Sequence, residues 1–146
     1  MRQSLGGRFA KRIWDELATV ENGEEFKDRA HDFPRCVQLN GLSLAVTFFR
    51  GKSNDKRKKT GHERYLEILS GVLVGERVIE RGKEDAGRSS PDLLIERALR
   101  LPPMEYRVLS RKVMVAALWL RRLSEARWHG KDMVEDGNAA NPVHGG

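Results

Sequence analysis

Cysteine is almost absent from this sequence: its 146 residues contain one, Cys36. A lone thiol excludes an intrachain disulfide framework, and it also excludes a zinc site built from several cysteines. Such sparse use of cysteine is typical of proteins that work in a reducing cytoplasm.

Long hydrophobic runs are missing as well. No apolar stretch approaches the roughly 18 residues that a membrane span requires, and the opening residues lack the apolar region of a secretory signal. The sequence therefore predicts a soluble, cytoplasmic protein with no membrane partner.

Motifs of catalysis are lacking too: there is no glycine-rich phosphate loop, no HExxH and no GxSxG. The doublet His31-Asp32 could begin a metal site of the HD phosphohydrolase type, but neither His62 nor His129 stands at a recognisable ligand spacing from it. Cys36 has no sequence-local base that would activate its thiol. We therefore predict no enzymatic activity, no metal and no cofactor, and we interpret the doublet as solvated residues at a helix end.

Positive charge is in moderate excess. The chain has 27 Lys and Arg against 21 Asp and Glu, a formal net charge of +6, which favours polyanions such as nucleic acid as partners. Residues 50–59 alone hold six cations and one carboxylate, Asp55. This basic segment is either a solvated linker or an arm that contacts phosphates.

Apolar spacing predicts an all-α protein. Apolar residues recur three and four positions apart in about six segments, and no stretch alternates as a half-buried strand does. We predict a compact single-domain bundle of about six helices over residues 1–129. Residues 130–146 show no period and are predicted to form a flexible C-terminal tail.

Proline and glycine predict the boundaries of the second and third helices. Proline disfavours a helix at the residue before it, so we expect the second helix, residues 24–32, to end before Pro34. The third helix should cover residues 34–50, with apolar side chains on two sides and Phe48 in the core. Its apolar spacing continues through Gly41, which we interpret as a close helix crossing.

The final predicted helix, residues 104–129, is apolar around its centre. A stripe facing the core consists of Tyr106, Leu109, Val113, Ala117, Leu120 and Ser124. The opposite side carries Val115 and Leu118 between Arg111 and Arg122. An apolar centre flanked by arginines is typical of an interface with protein or RNA, and burial beneath the chain's own helices is the alternative.

Two long blocks carry a family pattern. In residues 33–52 the pattern consists of Phe33, Pro34, Asn40, Gly41, Leu42, Ala45 and Phe48. In residues 105–127 it consists of Tyr106, Arg107, Ser110, Ala117, Trp119, Leu120, Arg121, Arg122, Leu123, Glu125 and Ala126. Together with an opening helix over residues 8–20, these blocks resemble the small all-helical subunit of the type III-B CRISPR effector, the Cmr complex.

The resemblance implies a non-catalytic structural subunit of an RNA-guided, RNA-targeting antiviral complex. Subunits of this kind stack along the repeated backbone RAMP subunits and line the channel for guide and target RNA. The implied partners are the other Cmr subunits, especially the backbone RAMP subunit and the large Cas10-type subunit, further copies of the chain, and CRISPR and target RNA through their phosphates. The small subunit of a type III-A complex and a free-standing helical nucleic-acid-binding protein are the alternatives.

This resemblance favours an RNA-contacting role for the basic residues. We predict RNA contacts for Arg50, Lys52, Lys56, Arg57, Lys58, Lys59, Arg111 and Arg122. We predict a subunit interface at Val115 and Leu118, with Arg8 and Lys11 of the first helix as a further partner surface.

Overall fold

The computed structural model describes residues 4–53 and 59–144, and the side chains of residues 4–53 and 59–128. Within these ranges the chain forms six α-helices and no strand: α1 (Leu5–Leu17), α2 (Gly23–Asn40), α3 (Leu42–Gly51), α4 (Gly61–Gly75), α5 (Ser90–Arg100) and α6 (Pro103–His144). A short 3-10 turn, Lys83–Asp85, lies between α4 and α5. The prediction of an all-α bundle is confirmed. None of the helices in the described residues combines the length and hydrophobicity of a membrane span.

The helix α6 is the element around which the bundle is built, because it contacts α1, α2, α4 and α5. Helix α1 runs parallel to it: the Trp119 ring lies beside Gly6, and the Arg127 guanidinium lies 5.3 Å from the ring centroid of Trp14. Both ends of α1 are thus held against the middle of α6, between Trp119 and Arg127.

Helix α2 runs antiparallel to α6 on another side. The Trp128 indole covers Gly23 so closely that a Cβ there would lie 2.1 Å from its Nε1 atom, which makes glycine necessary at the start of α2. At the other end of α2, Gly41 lies beside Tyr106 near the start of α6. The two family blocks of the sequence are therefore in contact.

Aromatic side chains fill the space between α2, α3 and α4. Phe26, Phe33, Phe49 and Tyr65 are each at most 1% exposed. Phe33 is central, with its ring centroid 5.1 Å from those of both Phe49 and Tyr65. Burial raises the pKa of Tyr65 well above its ordinary value, so the phenol stays neutral in the core.

The predicted break at Pro34 was wrong. Helix α2 continues through Pro34 to Asn40, and the chain bends at Gly41, where φ is +87°. Pro34 and Phe33 are both buried, so packing outweighs the backbone hydrogen bond that proline removes. Gly41 separates two helices, which corrects its interpretation as a crossing point inside one helix.

The predicted burial of Phe48 was also wrong. The inner face of α3 consists of Leu42, Ala45, Val46 and Phe49. Phe48 and Leu44 lie on the outer face and are 51% and 60% exposed. The break at Gly41 explains the difference, because it gives α3 a rotation independent of α2.

The predicted end of the last helix was too early. The α6 backbone remains helical through His144, beyond residue 129. An α-helix satisfies its own backbone hydrogen bonds and so does not require an apolar stripe to continue. The domain boundary at residue 129 and the flexibility of residues 130–146 stay predictions.

Candidate nucleic-acid and subunit interface

The side of α6 that faces away from the core carries a line of six residues, here called the outer stripe: Met104, Val108, Arg111, Val115, Leu118 and Arg122. Successive members are three or four positions apart, which places them on one face of the helix. Val115 is 39% exposed and Leu118 is 45% exposed, so the chain's own helices do not bury them. Both arginines are exposed, and neither forms an ion pair with any carboxylate in the described part of the chain.

Five of the six residues predicted for the inner stripe of α6 are buried, and the sixth, Tyr106, is half-buried. Leu109 is 4% exposed, and Val113, Ala117, Leu120 and Ser124 are fully buried. The two stripes therefore lie on opposite sides of one helix. Only the inner stripe is covered by this chain.

Two cations of the basic segment have carboxylate partners. The Arg50 Nη2 atom lies 2.9 Å from Asp92 Oδ1, which joins the end of α3 to the start of α5. The Lys59 Nζ atom lies 2.7 Å from Glu67 Oε2 on α4. Exposed ion pairs of this kind contribute about 0–1 kcal/mol, so both cations can still exchange a carboxylate for a phosphate.

Lys52 has different surroundings. Its Nζ atom lies 5.6 Å from the ring centroid of Phe48, and no carboxylate among the described residues pairs with it. Lys56, Arg57 and Lys58 lie outside the described residues.

Two arginines of α1 hold it against the end of α4. Glu76, just after α4, accepts hydrogen bonds from Arg8 Nε at 2.9 Å and from Arg12 Nε at 2.8 Å. Desolvation raises the pKa of Glu76, but the hydrogen bonds from Arg12 and Arg8 outweigh it, so the pKa is lowered and the carboxylate stays ionised. Arg8 thus holds α1 against the end of α4, while Lys11 is exposed.

Tyr106 connects the two family blocks chemically. Its hydroxyl accepts a hydrogen bond from the Ser43 backbone N–H at 3.0 Å, and the Ser43 hydroxyl donates to the Ala98 carbonyl at 2.8 Å. The N-cap of α3 is Gly41, which has no side chain to cap the helix, and the Tyr106 hydroxyl takes over that function. Burial raises the pKa of Tyr106, but its hydrogen bonds with Ser43 outweigh burial and lower it.

These contacts explain why the two blocks occur together in one sequence. A model of the CRISPR-associated Cas_Cmr5 protein family matches residues 6–127, which include both blocks and the opening helix. The chain belongs to the Cmr5 family. The resemblance found in the sequence is thereby confirmed.

A sequence match and a structure match, both from Thermus thermophilus, agree with this assignment. The protein named CRISPR system Cmr subunit Cmr5 is 28% identical over 121 residues, which cover 81% of this chain and 90% of the relative. The crystal structure of a CRISPR-associated Cmr5 family protein matches with a TM-score of 0.65 at 25% identity, and covers 86% of this chain and 97% of that one.

In this Cmr5-family chain the His31-Asp32 doublet does not converge on one point. The His31 Nε2 atom lies 3.0 Å from Glu125 Oε1 on α6, whereas Asp32 lies 3.4 Å from Arg29 on its own helix. Arg29 also donates to His62 Nε2 at 3.1 Å. Burial lowers the pKa of His62, and the Arg29 charge lowers it further, which favours the neutral imidazole as acceptor.

The described residues contain no group of three or more His, Cys, Asp or Glu side chains close enough to hold a metal ion. The doublet lies inside α2, which corrects its predicted position at a helix end, and its two exposed side chains make separate contacts. Each residue is occupied by a partner that a metal ion would have to displace.

Sequence reasoning missed the capping role of Tyr106 and the exposure of Phe48. For Tyr106 there was no local signal, because the predicted helix continued through Gly41 and Ser43 lies 63 residues away in sequence. For Phe48 there was none either, because the spacing of apolar residues on α3 is consistent with either face being buried.

Proposed function

We propose that this chain is the non-catalytic small subunit of a type III-B CRISPR effector complex. In this proposal it stacks along the backbone RAMP subunits and lines the channel for guide and target RNA. The observation that carries the proposal is the outer stripe of α6, an exposed apolar line with two arginines on a chain of the Cmr5 family.

The composition of the outer stripe favours a protein partner other than a second copy of this chain. Its four apolar residues are at least 39% exposed, and covering them would stabilise a complex by removing apolar surface from water. The stripe contains no carboxylate. Two copies joined face to face through it would bring four arginines together, and such like charges oppose association. The stripe therefore fits the backbone subunit, and contacts between copies would use other surfaces.

The cations supply contacts to RNA. Arg111, Arg122 and Lys52 are exposed, and Lys56, Arg57 and Lys58 add charge in the same basic segment as Lys52. Lysine and arginine contacts to phosphate position a protein without reading sequence, which suits a complex in which base pairing selects the target. The large Cas10-type subunit and a cytoplasmic location belong to the same proposal.

Assembly provides the direct test. We expect Leu118→Glu to abolish co-purification with the backbone RAMP subunit, because an unpaired carboxylate buried in an interface is unfavourable. The melting temperature should change little, since Leu118 is half-exposed. The matched control is Leu99→Glu on α5, where the leucine is 60% exposed.

Retention of the backbone subunit by Leu118→Glu would contradict the proposal. Unfolding of the variant alone would instead assign Leu118 to the core. If the wild-type chain co-purifies with type III-A rather than type III-B backbone subunits, it belongs to the related complex. If the wild-type chain binds neither, a free-standing nucleic-acid-binding protein is favoured.

Contacts to RNA are tested by charge reversal. Changing Lys56, Arg57, Lys58 and Lys59 to Glu should weaken binding of single-stranded RNA equally for all sequences. The dependence of affinity on salt should also become shallower, by about 0.7 in slope for each phosphate that the variant no longer neutralises. Identical binding curves for variant and wild type at every salt concentration would show that the segment is solvated.

The absence of catalysis is also part of the proposal. The purified chain should not hydrolyse RNA or simple phosphoesters with or without divalent metal, because His31 and Asp32 have separate partners. Metal-dependent hydrolysis that disappears in His31→Ala would overturn this part.

A further inference from the structure

The outer face of α3 presents an aromatic ring to solvent. Phe48 is 51% exposed, and Leu44, one turn earlier, is 60% exposed. The Phe48 ring has two aromatic neighbours: its centroid lies 6.2 Å from that of Phe49, which is buried, and 6.2 Å from that of His62, whose ring is nearly perpendicular to it. The ring is therefore accessible to solvent and also in contact with the side chains of the bundle.

A cation lies next to this ring. The Lys52 Nζ atom is 5.6 Å from the ring centroid, and no carboxylate among the described residues pairs with Lys52. Its neighbours in sequence, Arg50 and Lys59, are paired with Asp92 and Glu67, so Lys52 is the cation that this face offers to a ligand.

The aromatic ring beside the cation distinguishes this face from the outer stripe. A protein partner placed over Phe48 would have to supply a carboxylate to Lys52, as a partner on the outer stripe would to Arg111 and Arg122. A single-stranded nucleic acid offers both groups that the face requires, a flat base for the ring and a phosphate for the ammonium.

We infer that Phe48 is a stacking platform for an unpaired base of single-stranded RNA. The base would replace the Lys52 ammonium over the ring, and Lys52 would contact the adjacent phosphate. The inference rests on the proposed function and adds to it a contact that phosphate-directed cations do not provide. Every base has a stacking face, so this contact tolerates any sequence and leaves target selection to base pairing.

Strands without bases separate stacking from charge. We would measure binding of a short oligouridylate and of an abasic ribose-phosphate strand of the same length to the full chain. The wild type should prefer the strand with bases by about fivefold to a hundredfold, the range that one base-stacking aromatic contributes.

Three variants locate the effect. Phe48→Leu keeps an apolar side chain and should remove the preference, while leaving binding of the abasic strand unchanged. Phe48→Tyr keeps the ring and should retain the preference. Leu44→Ala, on the same exposed face, is the control and should also retain it.

Each other outcome has a definite meaning. If wild type binds both strands equally, or Phe48→Leu keeps the preference, the stacking inference is overturned while the phosphate contacts stand. If neither strand binds, the RNA contacts of the proposed function fail as well. If Phe48→Leu no longer co-purifies with the backbone subunit but binds both strands as wild type does, the face is a protein contact and the inference is wrong.

Discussion

Phe48 and Phe49 are consecutive residues of α3 with the same side chain, yet one is 51% exposed and the other 1%. Helix α6 repeats this contrast, since Leu120 is fully buried and Leu118 is 45% exposed. Both helices are apolar on two faces, and in each the bundle covers only one. The comparison teaches that apolar residues in this chain have two environments, the core of the bundle and a surface in contact with solvent, and it is the second that we propose for contacts outside the chain.

The phenylalanine pair should show the largest difference in stability. Phe49→Ala removes a ring packed against Phe33, Tyr65 and His62 and should lower the free energy of unfolding by about 3–5 kcal/mol. Phe48→Ala should lower it by about 1 kcal/mol or less, because half of that ring is already in water. Denaturant titration of both variants measures the difference. Comparable decreases would contradict the assignment of Phe49 to the core and of Phe48 to the surface.

Leu120 and Leu118 on α6 should show the next largest difference in stability. Leu120→Ala opens a cavity on the inner stripe and should reduce the free energy of unfolding by about 2–5 kcal/mol. Leu118→Ala should change it by about 0.5 kcal/mol, as surface substitutions do. The same titration applies. A large decrease in Leu118→Ala would mean that the outer stripe belongs to the core.

Tyr106 lies at the end of the inner stripe. Removing its hydroxyl tests whether a polar contact, as well as apolar packing, stabilises the monomer. Tyr106→Phe removes the acceptor of the Ser43 N–H bond and should lower stability by about 1 kcal/mol. Amide exchange should increase at the first turn of α3 and stay unchanged in α4. Uniform loosening of all helices would contradict a local capping role.

The arginines of the outer stripe should have the smallest effect on folding. Arg111→Glu combined with Arg122→Glu should leave stability within about 0.5 kcal/mol of the wild type and weaken RNA binding, with a shallower dependence on salt. Arg35→Glu combined with Arg100→Glu, which reverses two exposed arginines on α2 and α5 and changes the net charge by the same amount, is the matched control. Equal weakening by the control would show that net charge alone is responsible.

The sequence alone determined much about this protein. Apolar spacing established the all-α class, and the spacing of α6 identified five of its buried residues, although it missed Ala116. The two blocks around Gly41 and Tyr106 identified the family. These features could be predicted because helical periodicity is local, and because a family pattern is a property of residue order.

Only the tertiary structure decided which apolar faces of the helices are buried in the bundle. A pattern that is apolar on two sides does not indicate which side the bundle covers, so Phe48 was assigned to the wrong one. The continuation of α2 through Pro34 depended on burial of that residue among neighbours distant in sequence, and such packing overrides local propensity. The cap that Tyr106 provides to α3 spans 63 residues of sequence. No local pattern contains such a contact, because it exists only once α6 has packed against the start of α3.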